Sequence, residues 1–120
     1  MSTIRRYTIV HDATGMSIML DVDLSKLTAE LADEINRFWI EWEWRLDTHD
    51  GDVIAVVIKL AAQRFLALLL EDEDSRWAQH EFDRSEGWPP HGAHGIKLVD
   101  CDGLPVLDLD ELSIIESVVV

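Results

Sequence analysis

Three sets of residues in this chain have types and spacings that could do chemistry. The first is a series of D-x-D pairs: Asp21 and Asp23, Asp100 and Asp102, Asp108 and Asp110. In an extended strand, side chains two apart share a face, so each pair would present two carboxylates to one side. Clustered carboxylate oxygens suit hard cations such as Ca²⁺ or Mg²⁺, and a row of them imitates a phosphate backbone. They also serve simply as a solvated face that keeps an exposed sheet from pairing with others. No D-x-[DN]-x-[DN]-G loop accompanies them, so the metal signal is weak and the solvated face is the plainer reading. The second set is His91 and His94, spaced H-x-x-H, with His80 upstream and Cys101 downstream. Zinc takes nitrogen and sulfur ligands in tetrahedral sites. One H-x-x-H pair with a single cysteine matches no structural zinc pattern, so a polar surface loop is expected there and no cofactor.

The third set is apolar. The stretch 38–44, FWIEWEW, is dense in tryptophan. On one long helix Phe38, Trp39 and Trp42 would face the core. Ile40 and Trp44 would fall roughly opposite, among Asp33, Arg37 and Glu41, four apart and adjacent. An apolar pair on a charged face is a candidate contact surface, because aromatic residues are enriched at interface cores. No G-x-S-x-G elbow, P-loop, G-x-G-x-x-G or H-E-x-x-H occurs. The chain is therefore read as non-enzymatic, with no catalytic residue.

The elements that must position these residues are organised around 53–70, VIAVVIKLAAQRFLALLL. It is apolar almost all the way round, the mark of a helix buried in the middle of a domain. It approaches the length of a membrane span. Lys59 and Arg64 near its middle argue against one, at about 2.5–3.5 kcal/mol for each charge at a helix centre. Lys59, Gln63 and Arg64 instead predict one narrow wet stripe along a core helix, and no membrane association.

Ahead of it, residues 4–10 are β-prone, and HDATG provides a turn. From Met16 the alternation is strict: Ile18, Leu20, Val22 and Leu24 on one side, Ser17, Met19, Asp21 and Asp23 on the other. An antiparallel hairpin is expected. Thr28 is placed to cap a helix reaching about Leu46, with Leu31, Ile35, Phe38, Trp39, Trp42 and Leu46 inward. Asp50 or Asp52 would cap the central helix after a short turn, making the two an antiparallel pair. Residues 76–88 read as a loop with at most a short helix, and 88–95, WPPHGAHG, as irregular. Strand character returns at 96–99, in parts of 103–111, and at 112–120. The order ββααβββ predicts one α+β domain over 1–120: a two-layer sandwich, its antiparallel sheet built from the N-terminal hairpin and the C-terminal strands and packed on the helix pair. The strand order stays open.

The 120 residues carry 24 acids against 10 bases, for a net charge of −14. That excludes a conventional nucleic-acid binder, which needs a basic footprint to release counterions. It permits basic partners, including a protein that itself grips DNA. Cys101 is the single cysteine, so no internal disulfide forms, and with no signal-peptide pattern at residues 1–12 the cytoplasm is expected.

RRYTIVHD at 5–12, LDVDL at 20–24, the run 27–65 and EGWP at 86–89 together resemble a family of small uncharacterised bacterial proteins, a domain of unknown function associated with integrative elements and plasmids. The resemblance covers most of the chain and brings no site residue with it. It implies a bacterial, cytoplasmic accessory protein, dispensable for basic metabolism, and favours interference with nucleic-acid machinery. The sequence thus points to a self-associating interaction protein of a mobile element, a homo-oligomer with Ile40 and Trp44 as contacts. The alternatives are a DNA-mimic inhibitor of a nucleic-acid-binding protein, and a metal- or small-molecule-binding protein using the His91–His94 loop.

Overall fold

A computed structural model describes residues 3–11, 13–90, 92–103 and 112–118. His91, Asp108, Asp110 and the candidate strand character of 104–111 lie outside the described residues. Strands β1 (Ile4–His11) and β2 (Met16–Asp23) form the expected hairpin, paired from Ile4↔Asp23 to His11↔Met16. Gly15 closes its turn at φ +74°, donating its N–H to the His11 carbonyl at 2.8 Å. On β2 the alternation holds: Met16, Ile18, Leu20 and Val22 are buried, and Ser17, Met19, Asp21 and Asp23 face the other way.

The hairpin occupies the centre of the sheet. In the four-stranded order β3-β2-β1-β4, β3 (Ile96–Asp102) pairs with β2 and β4 (Leu112–Val118) with β1, all antiparallel. The register of β3 slips at Met19/Leu20: Leu20 lies opposite Leu98, but Met19 lies opposite Asp100, which leaves Val99 as the extra residue of a bulge. The bulge decides where two carboxylates go. Ile96 and Leu98 are buried, and unbroken alternation would have turned Asp100 and Asp102 inward with them. The extra residue puts both on the outer face, opposite Met19 and Ser17, and puts Cys101 opposite Ile18.

Four helices cover the inner face: α1 (Ala29–Phe38), α2 (Trp42–Thr48), α3 (Val53–Glu71) and α4 (Ser75–Asp83). The Thr28 hydroxyl accepts from the Leu31 N–H, and the Asp52 carboxylate accepts from the Ala55 N–H, so both expected caps form. Helix α3 is long and apolar enough by composition to cross a bilayer. It serves instead as the core helix, with Val57, Ile58, Ala61, Ala62, Phe65, Leu66, Leu68 and Leu69 joined to Ile9, Ile18, Leu20 and Val22 of the sheet in one cluster. The architecture is the expected α+β one, a sheet packed on helices.

Two expectations about the helices are corrected. The single helix over 28–46 is two helices: the chain leaves α1 at Trp39 and re-enters at α2 through Glu41, which holds a left-handed conformation (φ 62°, ψ 27°). The cause is Arg45. Its guanidinium folds back onto the C-terminal end of α1, donating to the carbonyls of Ile40 (2.7 Å), Asn36 (3.1 Å) and Trp39 (3.3 Å) and to Asn36 Oδ1 (2.9 Å). Asn36 in turn donates from Nδ2 to the Trp42 carbonyl. Both residues are buried. Carbonyls that end a helix need partners, and here one planar fork provides them. Phe38 consequently sits exposed rather than in the core. The second correction concerns 75–83, which is helical: Asp74 caps it through Oδ1, and Ala78 and Phe82 point into the core.

Candidate interaction surface

The outer face of the sheet does not present bare rows of acid. Asp21 takes a two-point ion pair from Arg6 on β1, at 2.8 Å from Nε and 3.0 Å from Nη2, and lies opposite Lys97 on β3. Asp23 closes the turn that follows its strand. It accepts from the Ser25 hydroxyl (2.6 Å), the Thr3 hydroxyl (2.7 Å) and the Ser25 N–H (3.0 Å), and these bonds hold its carboxyl below the usual range. Asp100 and Asp102 are exposed on β3, and Asp100 is occupied locally by the Cys101 N–H. The Cys101 thiol is pushed up by burial and by its two acidic neighbours, away from the thiolate that nucleophilic chemistry needs. Of the four described aspartates, two are therefore tied into the fold.

His94 is a core residue, not part of a polar surface loop. It is 1% exposed and packs edge-on against the Phe82 ring. Nδ1 accepts the Ile96 N–H at 2.9 Å, which leaves the proton on Nε2, donated to Asp83 Oδ1 at 2.8 Å. With both ring nitrogens committed, it has no lone pair for a metal or for proton abstraction. Gln79 extends the arrangement along the free edge of β3. Its side-chain amide donates to the Ile96 carbonyl and accepts from the Leu98 N–H, standing in for a neighbouring strand.

Burial pushes the His94 imidazole below its ordinary value, against the opposing pull of Asp83. The unfolded chain then binds a proton more readily than the folded one. Stability conferred by neutral His94 is complete above its unfolded value, about 6.5, and declines as pH falls through that value toward the lowered one. The thermal midpoint is expected to fall between about pH 7.5 and pH 5.5, and less steeply in His94→Gln. Equal slopes for the two proteins would contradict this.

The exposed apolar residues lie on the helical side. Ile40 is 85% exposed, the highest value among the exposed large apolar residues, and Trp44 is 49% exposed. They do not form an adjacent pair on one helix, because the break intervenes. Trp44 lines a shallow groove with Trp42, Leu46 and Gly51. Ile40 stands at a different and more apolar groove of about 480 Å³. Its floor is the part of α3 that no other element covers, Leu60, Gln63, Arg64 and Ala67; its walls are Trp39 and Ile40 on one side and Trp88 on the other. The spacing 60, 63, 64, 67 is one helical face, and the wet stripe read in the sequence runs along it.

The walls are fixed from behind. Arg45 holds the Ile40 carbonyl, and Gly87, at φ +88°, lies flat against the rings of Phe38 and Trp39. A methyl group at Gly87 would come within 2.7 Å of both rings. Gly87→Ala is therefore expected to cost about 2–3 kcal/mol, from the left-handed backbone and from overpacking together. The denaturation midpoint measures it; an unchanged midpoint would show that the contact yields freely. Sequence reasoning singled out Ile40 but missed this groove, because Leu60, Ala67 and Trp88 look like ordinary core residues until the break uncovers them.

The fold and this surface define a small acidic α+β domain with an apolar groove on its helical side. Residues 17–114 match the family model described as a protein of unknown function (DUF2528), and the chain belongs to that family. It is 35% identical over 120 residues to protein ea10 of Escherichia phage lambda, covering 95% of this chain and 98% of the relative. It is equally similar, over the same shares, to a lambda prophage-derived protein ea10 of Escherichia coli O6:H1 (strain CFT073). No solved structure matches the chain.

Proposed function

We propose that this chain is a non-enzymatic interaction protein, an accessory of a bacterial mobile element, that acts in the cytoplasm and self-associates through its helical side. The observation that carries the reading is Ile40: a large apolar side chain held in the open by a buried arginine, beside a groove whose apolar floor no element of the chain covers. An exposed apolar projection on a rigid support usually marks a contact site. The similarity to a phage protein and to a prophage-derived one supports the mobile-element setting. The DNA-mimic alternative is weaker on the sheet, where Arg6 and Lys97 offset Asp21. Ile40→Asp is expected to reduce an oligomer to the 13.7 kDa chain, and Trp44→Asp, on the neighbouring groove, to weaken it less. An Ile40→Asp protein that keeps the oligomeric mass would refute the reading.

A further inference from the structure

We infer that two copies of the chain pair face to face about a two-fold axis, each seating its Ile40 in the groove of the other, with Glu41 of each copy against Arg64 of its mate. This rests on the self-association proposed above and adds its geometry. In a two-fold interface the same patch meets itself, so any residue that projects must find its receptor on that same patch. The Ile40 face meets this requirement. The projection, Ile40, stands on the rim of the hollow formed by Leu60, Ala67, Trp39 and Trp88.

Charge selects a second copy as the occupant. At a net charge of −14, two copies repel each other across most of their surfaces. This groove is different, because Arg64 and Arg45 line it against the single carboxylate of Glu41. Glu41 and Arg64 have opposite signs and stand on opposite sides of one hollow, so a two-fold rotation brings each to the other's counterpart. Arg64 is also prepared for a partner. Its Nε donates to the Ser85 hydroxyl at 3.2 Å, Ser85 is itself anchored on the Glu81 carbonyl, and the Nη groups carry no bond among the described residues. A guanidinium held by one edge presents the other to a carboxylate. Because Arg45 already holds Ile40 in its projecting position, little ordering remains to be done on association.

The test is a charge exchange followed by light scattering across a concentration series. Glu41→Arg and Arg64→Glu each place like charges at both reciprocal contacts, and each is expected to weaken the dimer about tenfold or more. The double variant E41R/R64E restores opposite charges and is expected to recover the wild-type dissociation constant to within about threefold. Recovery also shows that the single variants fold. A wild-type dimer that is indifferent to the single changes, or is not recovered by the double one, overturns this pairing while self-association stands. A wild-type monomer at every concentration overturns both and assigns the groove to a different partner.

Discussion

Arg45→Ala is expected to cost about 3–5 kcal/mol of folding stability, an effect of the size seen when one member of a buried, charged hydrogen-bond network is removed. Four acceptors depend on its guanidinium: the carbonyls of Asn36, Trp39 and Ile40, and Asn36 Oδ1. Truncation leaves several of them without a partner at about 1–3 kcal/mol each, less whatever water recovers on the side of Ile40. Arg45 also spans two helices, so its loss frees the break between α1 and α2. Arg45→Lys is expected to restore only part of the loss, since a single ammonium cannot reach acceptors that a planar fork reaches together. Urea denaturation measures both variants. If Arg45→Ala stays within about 1 kcal/mol of wild type, the break is held by something other than this network.

Phe82→Ala is the second large effect, at about 3–5 kcal/mol. The Phe82 ring stacks on Phe65 of α3 with centroids 4.1 Å apart, and meets Trp88 at 4.7 Å and His94 at 4.8 Å. It is fully buried, and it ties α4, α3 and the 88–94 segment to one point. Removing it opens a cavity lined by three rings that cannot all close in. Phe82→Leu keeps most of the volume and is expected to cost about half as much. Because Trp88 is also a groove wall, Phe82→Ala should weaken self-association at a protein concentration where it is still folded. Equal loss from the alanine and leucine variants would mean that ring stacking, rather than volume, dominates.

Much of this fold is legible in the residues. Strict alternation from Met16 to Asp23 allows one sheet face, Thr28 and Asp52 are strong caps, and 53–70 is too apolar to lie anywhere but the core. The missed features share a physical cause: each depends on a polar group finding a partner distant in sequence or fold. Arg45 falls seven residues after Phe38, on the face read as apolar, and Asn36 lies beside Ile35. Two hydrogen-bonding side chains at the edge of a core face signal a break, but the spacing of the apolar residues outweighed them. The bulge at Val99 is set by pairing with β2, which no local pattern reveals. His94 sits between two glycines near two prolines, which reads as surface loop. Its burial depends on Asp83 and on the Ile96 N–H. Helix α4 was underestimated because Asp74 was read as part of an acidic run rather than as a cap.

The candidate surface was half legible. Ile40 stood out because an isoleucine among charges is conspicuous at any helical angle. Trp44 was joined to it only by assuming an unbroken helix. Arg64 and Gln63 were visible as a wet stripe on the central helix, and the structure shows what that stripe borders: a groove left open where α1 and α2 part.

The account stands or falls on the mass of the wild-type chain in solution. Light scattering at about 0.05 M and about 0.5 M salt separates an apolar contact from an electrostatic one, since the screening length falls severalfold between them. A mass near twice 13.7 kDa at both salt concentrations is the predicted result. A mass of one chain at both, across the concentrations a dimer would need, would contradict self-association and leave Ile40 and its groove to a partner of another kind.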